Sequence, residues 1–171
     1  MADPLEQVDI VDENDNVLYQ TTKKDAHEKG LRHRCVIGLI VTDKHEHVLV
    51  RQAGHKQDAN QYVSPVAGHL QAGETAETGL TREAEEEIGL KNFSYKYIGK
   101  DIFNREILGR KENHLFYFFE IYSNDTLILN DESTEYRRFS QEEIKQLRQT
   151  SPELFGDAHH LLIKIFYPEL L

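Results

Sequence analysis

The sequence predicts an α/β fold, a mixed β-sheet packed between helices and opened by an N-terminal β-hairpin. Three observations carry this. Short runs rich in Val, Ile and Tyr alternate with polar turns, the pattern of strands. Segments of helical periodicity with recognisable caps are interspersed among them. No repeat, low-complexity tract or Pro/Ser-rich linker divides the 171 residues, so a single domain over residues 1–171 is expected.

The elements follow in order. Residues 8–11 and 17–20 flank the polar turn Asp12-Glu13-Asn14-Asp15-Asn16 and read as a hairpin with a longer loop. Residues 22–29 read as a short helix stopped by Gly30, which completes an N-terminal unit over residues 1–33. Residues 36–42 and 48–51 are two more strands around the polar loop 43–47. Residues 75–88 form the strongest helix. Ala76, Leu80, Ala84 and Ile88 recur at spacing four and give it an apolar face, and Gly89 sits where a C-terminal cap belongs. Gly79, inside that helix, costs about 1 kcal/mol relative to Ala, which close packing would explain. Residues 95–99 and 115–122 read as strands. Ser140 and Glu143 form a capping box for a helix over 140–148, and residues 156–167 form an amphipathic helix ending before Pro168. The stretches 55–62 and 102–113 read as loops.

Composition narrows the function. The formal net charge is -10, so the whole-molecule field repels phosphate, and neither nucleic acid nor an anionic membrane is an expected partner. The longest strongly apolar runs fall far short of the ~20 residues that span a bilayer. The first residues lack the basic and apolar regions of a signal peptide. The single cysteine, Cys35, lies in an apolar run and reads as a buried small hydrophobe. A cytoplasmic location is the expectation, and the sequence leaves a homodimer open.

The segment Arg82-Glu83-Ala84-Glu85-Glu86-Glu87 carries the chemistry. On a helix, Glu83, Glu86 and Glu87 stand three and four apart and share a face, while Glu85 points away. Like charges so placed repel. Most such runs are solvated acidic faces, yet a hard divalent cation on the face would reverse the sign of the interaction. The flanks favour the cation. Gly68 stands five intervening residues before Glu74, Glu74 seven before Arg82, and Gly89-Leu90 follow the carboxylates.

This pattern over residues 68–90 resembles the Nudix box at every charged and glycine position; only Ala84 is smaller than the usual aliphatic residue. The resemblance implies a Nudix α/β/α sandwich and a hydrolase that cleaves a diphosphate linkage in a nucleoside diphosphate derivative or similar small phosphorylated metabolite. It implies that Glu83, Glu86, Glu87 and the Gly68 carbonyl hold Mg²⁺ or Mn²⁺. One of the glutamates, Glu83 or Glu86 among them, would serve as base, and Arg82 and Glu74 would hold the catalytic turn. An acidic chain needs local cations for such a substrate, and Arg51 and Lys56, with His55 beside them, are the substrate-binding candidates.

A second resemblance, over about residues 8–143, is to the isopentenyl-diphosphate isomerase-like branch of the superfamily. It rests on the N-terminal hairpin, the run Ala26-His27-Glu28-Lys29-Gly30-Leu31-Arg32-His33-Arg34 and the stretch Ala67-Gly68-His69. It implies that His27, His33 and His69, with Glu112, bind a second, transition-metal ion, which suits imidazole ligands. The isomerase's cysteine would fall at Ala67 and its glutamate at His114, so the proton shuttle of that reaction is not expected. The competing readings are an isoprenoid-diphosphate isomerase-like protein and a non-catalytic nucleotide-sensing Nudix module.

Overall fold

The computed structural model describes residues 3–171. The strands β1 (Gln7–Val11) and β2 (Val17–Thr22) form the expected hairpin, and α1 (Lys23–Lys29) follows, capped by the Thr22 side chain and ended by left-handed Gly30. Next come β3 (His33–Val41), β4 (His47–Gln52), the short strands β5 (Tyr62–Val63) and β6 (Val66–His69), and α2 (Ala76–Ile88). The chain then runs through β7 (Ser94–Ile107), β8 (Arg110–Tyr122), β9 (Ser133–Phe139), α3 (Gln141–Thr150) and α4 (Asp157–Phe166).

The strand β3 organises the sheet. It pairs antiparallel with β1, β4 and β6, and parallel with β8 over nine residue pairs, from His33↔His114 to Val41↔Tyr122. The sheet continues through β7 beside β8 and through β5 and β9 beside β4, all antiparallel. It is therefore mixed, as expected.

Alternation along the strands assigns the two faces. On one face Val36, Ile40, Phe119 and Ile121 pack against Leu80, Ala84 and Ile88 of α2. On the other, Cys35, Ile37, Leu39, Phe116 and Phe118 pack against Ile144 of α3 and Leu162 and Ile163 of α4. Each fully buried residue of this size contributes about 1.5–3 kcal/mol relative to leaving it exposed. The sandwich thus follows from helices on both sides of an apolar sheet. Cys35 is a core residue, and its burial pushes the thiol pKa up.

Three segments differ from the sequence reading. Strands β7 and β8 are much longer than 95–99 and 115–122, and meet at the turn Leu108-Gly109, where both residues have positive φ. The stretch 102–113 is therefore a hairpin and not a loop. Its few apolar residues, Ile102, Phe103, Ile107 and Leu108, do not alternate with polar ones at period two, so no strand pattern marks it. Strand β9 escapes detection for the same reason, having one buried residue, Phe139. The capping box is only half made: Ser140 Oγ accepts the Glu143 N–H, but the Glu143 side chain pairs with Arg137.

Candidate active site and histidine centre

Helix α2 begins at Thr75, whose hydroxyl accepts the Thr78 N–H, and ends on left-handed Gly89, as a helix needing a sharp stop requires. Its apolar stripe fixes its rotation on the sheet. Glu83, Glu86 and Glu87 are then turned toward the end of β6, while Glu85 turns out to pair with Lys91.

Arg82 ties this corner together. Its Nε and Nη2 donate to the two oxygens of Glu74, both at 2.8 Å, Nη2 also donates to the His69 carbonyl at 3.0 Å, and Nη1 donates to Glu83 at 2.7 Å. Those bonds to Glu74 raise the Arg82 pKa further, so the guanidinium stays charged. Burial would raise the pKa of Glu74, but the bonds from Arg82 and from the Gln71 N–H win and hold it below the ordinary value. The loop between β6 and α2 is thus pinned at both ends by one planar fork.

The carboxylates lie in unequal settings. Glu87 is pushed well above the usual carboxylate range by burial and by the neighbouring Glu83 charge, although its Oε2 accepts the Ala67 N–H at 2.9 Å. Burial also raises Glu83, against the pull of Arg82. Glu86 is the exposed member of the face. Gly68 lies against Glu83 so closely that a Cβ there would overlap the carboxyl group. Two half-buried carboxylates one helical turn apart, one pressed onto a side-chain-free strand end, form a cradle suited to a divalent cation.

A second cluster sits beside the first. His27 of α1, His33 of β3, His69 of β6 and His114 of β8 bring one ring nitrogen each within 4.8 Å of one another. The parallel register sets His33 directly against His114, and Cys35↔His69 brings in the third. The Leu31 carbonyl can only accept, so His33 Nδ1 donates to it at 2.8 Å, which leaves His33 Nε2 as a buried lone pair without a partner. Burial drives the His27 pKa down to about 3 and the His33 pKa to about 4, and puts His69 and His114 well below 6.5. Four imidazoles held neutral by burial, with a ring nitrogen of each converging and the His33 Nε2 lone pair orphaned, fit a transition-metal ion.

Glu112 is not part of this convergence. Arg105 Nε holds it at 2.6 Å, on an Arg105 that also reaches Asp58 and Asp157. The fourth position belongs to His114, which the isomerase resemblance marks only as the place of a lost glutamate. The carboxylate face opens on a cleft of about 700 Å³, which Lys56 and Glu86 help to line and which the histidine cluster meets through His69. Lys56 is paired with Glu132 at 2.9 Å. Arg51 does not reach the cleft. Val50 and Gln52 line it, so period-two alternation turns Arg51 to the opposite face, where its Nε donates to the Asn60 carbonyl. His55 is exposed and outside the lining. The sequence reading missed Lys23, Arg105 and Arg110, which also line the cleft. Nothing local marks them, because each is brought there by pairing between distant segments.

An acidic helix face beside a strand end, backed by an arginine clamp, is a distinctive arrangement of residues 68–90. The chain matches the NUDIX domain family over residues 31–157, and it belongs to that family. It is 38% identical over 112 residues to an uncharacterized Nudix hydrolase of Streptomyces coelicolor, covering 59% of each chain. It is 25% identical over 151 residues to isopentenyl-diphosphate Delta-isomerase 2 of Photorhabdus laumondii, covering 85% of this chain and 84% of that one. The alignment spans less than two thirds of the length of the Streptomyces relative, and 57% of a Yersinia pestis Nudix hydrolase. The fold is shared with a solved protein of Deinococcus radiodurans, with a TM-score of 0.75 at 21% identity over 94% of this chain and 99% of that one. It is also shared with the MutT protein of Methanosarcina mazei, with a TM-score of 0.67 at 23% identity over 81% of this chain and 94% of that one. Among the described residues no helix is long and apolar enough to cross a membrane.

Proposed function

We propose that this chain is a divalent-metal-dependent hydrolase that cleaves a diphosphate linkage in a nucleoside diphosphate derivative or a similar small phosphorylated metabolite. The observation that carries the proposal is the cradle formed by Gly68, Glu83 and Glu87, two carboxylates whose pKa values are both raised and whose joint charge a cation between them would favour. Glu83, Glu86, Glu87 and the Gly68 carbonyl are the residues to hold Mg²⁺ or Mn²⁺. Such an ion offsets phosphate charge and lowers the pKa of an attacking water.

The chain's own groups do the rest. Arg82 holds Glu74, Glu83 and the His69 carbonyl in one rigid unit, which fixes the cradle's shape before substrate arrives. Glu86, exposed at the cleft, is placed to accept a proton from water. The cleft's cations are already matched by acids: Lys56 by Glu132, Lys23 by Glu6, Arg105 by Asp58 and Glu112. They orient an anion without outweighing the surrounding acids, so the metal must supply the missing positive charge. His27, His33, His69 and His114 are proposed as a separate transition-metal centre.

A panel of nucleoside diphosphate derivatives, nucleoside triphosphates and isopentenyl diphosphate, each with Mg²⁺ or Mn²⁺, tests this reading. Metal-dependent cleavage of at least one diphosphate compound is expected. Double-bond migration in isopentenyl diphosphate without cleavage of any compound would overturn it in favour of an isomerase, and binding without turnover in favour of a sensor.

A further inference from the structure

The histidine centre carries an occupant that the metal reading leaves unexplained. Arg110 follows the Leu108-Gly109 turn at the tip of the β7–β8 hairpin, and its guanidinium reaches into the four-histidine cluster. Its Nη2 lies 2.9 Å from His27 Nε2 and 3.4 Å from His69 Nε2. Arginine can only donate. His27 Nε2 is therefore unprotonated, with its single in-plane lone pair spent on the Arg110 N–H. That lone pair is the one His27 would give to a metal ion. His27 Nε2 also lies 3.2 Å from His69 Nε2 and 3.3 Å from His114 Nε2, so the guanidinium hydrogen points at the middle of the ligand set.

Resting on the proposed histidine centre, we propose that Arg110 and a transition-metal ion compete for that centre, so that metal entry expels the guanidinium. One lone pair cannot serve both a hydrogen bond and a coordinate bond. A divalent ion ligated by His27 would also stand within a few ångströms of a half-buried cation, with only partial compensation from Glu112, 3.3 Å from Arg110 Nε. Glu112 stays behind when Arg110 leaves, because Arg105 holds it separately. The expelled side chain stays on the cleft wall, anchored by a hairpin whose turn residue Leu108 is exposed. Metal loading thus adds a free guanidinium to the side of the cleft where phosphate is expected. By linkage, an anion that holds Arg110 outward tightens metal binding by the same factor.

The test uses Co²⁺ as the probe, titrated into the intact metal-free protein and followed by visible absorption. Cobalt in a four-imidazole tetrahedral site absorbs strongly, whereas cobalt on the oxygen ligands of the carboxylate face does not, so the two sites are read separately. Arg110→Met is expected to bind Co²⁺ at the histidine centre about tenfold or more tightly than wild type, the scale of one charge-assisted hydrogen bond released. His27→Ala is expected to lose the strong band. Equal affinity in wild type and Arg110→Met, with the band still lost in His27→Ala, would overturn the competition and leave the metal centre standing. No strong band in either wild type or Arg110→Met would overturn the centre itself. A crystal structure of Zn²⁺-loaded wild type tests the competition without any substitution. An Arg110 guanidinium moved off His27 supports it, and one still bonded to His27 beside a bound ion contradicts it.

Discussion

Replacing Glu87 with Gln is expected to lower divalent-ion-dependent turnover by about 10²-fold or more while the protein stays folded. Glu87 is half-buried, shares a helix face with Glu83, and anchors the Ala67 N–H through Oε2. A glutamine can keep that last bond with its own carbonyl oxygen, so β6 retains its anchor. The substitution also replaces a carboxyl group whose charged form its surroundings disfavour, so the metal-free fold is not weakened. What it takes away is the anionic oxygen, the property a cation needs. Steady-state turnover over a Mn²⁺ titration, with circular dichroism to verify the fold, checks this. Near wild-type turnover in a folded Glu87→Gln protein would contradict it.

The metal-free protein is expected to lose most of its stability between about pH 6.5 and pH 5. Burial lowers the pKa of six histidines: His27 to about 3, His33 and His47 to about 4, and His69, His114 and His159 well below 6.5. Between the unfolded value of 6.5 and these folded values, the unfolded chain binds more protons, so stability rises with pH in that window. It is fully present above pH 6.5 and is lost as pH falls toward the folded values. Each histidine contributes about 1.4 kcal/mol per pH unit. At pH 5 three of them remove about 6 kcal/mol, and a domain has only about 5–15 kcal/mol to lose. Glu83 and Glu87 act in the opposite sense, since their raised pKa lets the folded state take up protons first. They are two against six, and the histidines win. Urea unfolding at pH 7, 6 and 5 in the presence of a chelator measures this directly. A midpoint unchanged across that range would show that the imidazoles are not held neutral by the fold.

What the sequence disclosed follows from how local each feature is. The carboxylate face was legible because Glu83, Glu86, Glu87 and their arginine lie within one helix, where spacing alone fixes geometry. Thr75 and Gly89 marked its ends, and the apolar stripe marked its buried side. His27, His33 and His69 came only through a family pattern, since they sit on three different elements. His114 was hidden by the β3–β8 register: pairing with His33 across 81 positions of sequence has no local signature. Glu112 stands two residues before it on the same strand face, and which of the two enters the centre is decided by Arg105, which holds Glu112 away. Arg51 differs for another reason. Its charge and its strand's expected direction pointed to the site, whereas alternation from Val50 already turns it to the other face of the sheet. The long β7–β8 hairpin stayed hidden because its outer half buries little, so its pairing rests on backbone hydrogen bonds that the side-chain pattern does not display.

Catalysis by a metal on α2 is tested most sharply by the position of Mn²⁺ in crystals grown with a methylene-bridged, non-hydrolysable diphosphate analogue, read from anomalous scattering. The ion is expected at bonding distance from the carboxylates of Glu83, Glu86 and Glu87 and the Gly68 carbonyl, with a phosphonate oxygen completing its shell. Manganese found only among His27, His33, His69 and His114, with the analogue bound away from α2, would contradict it.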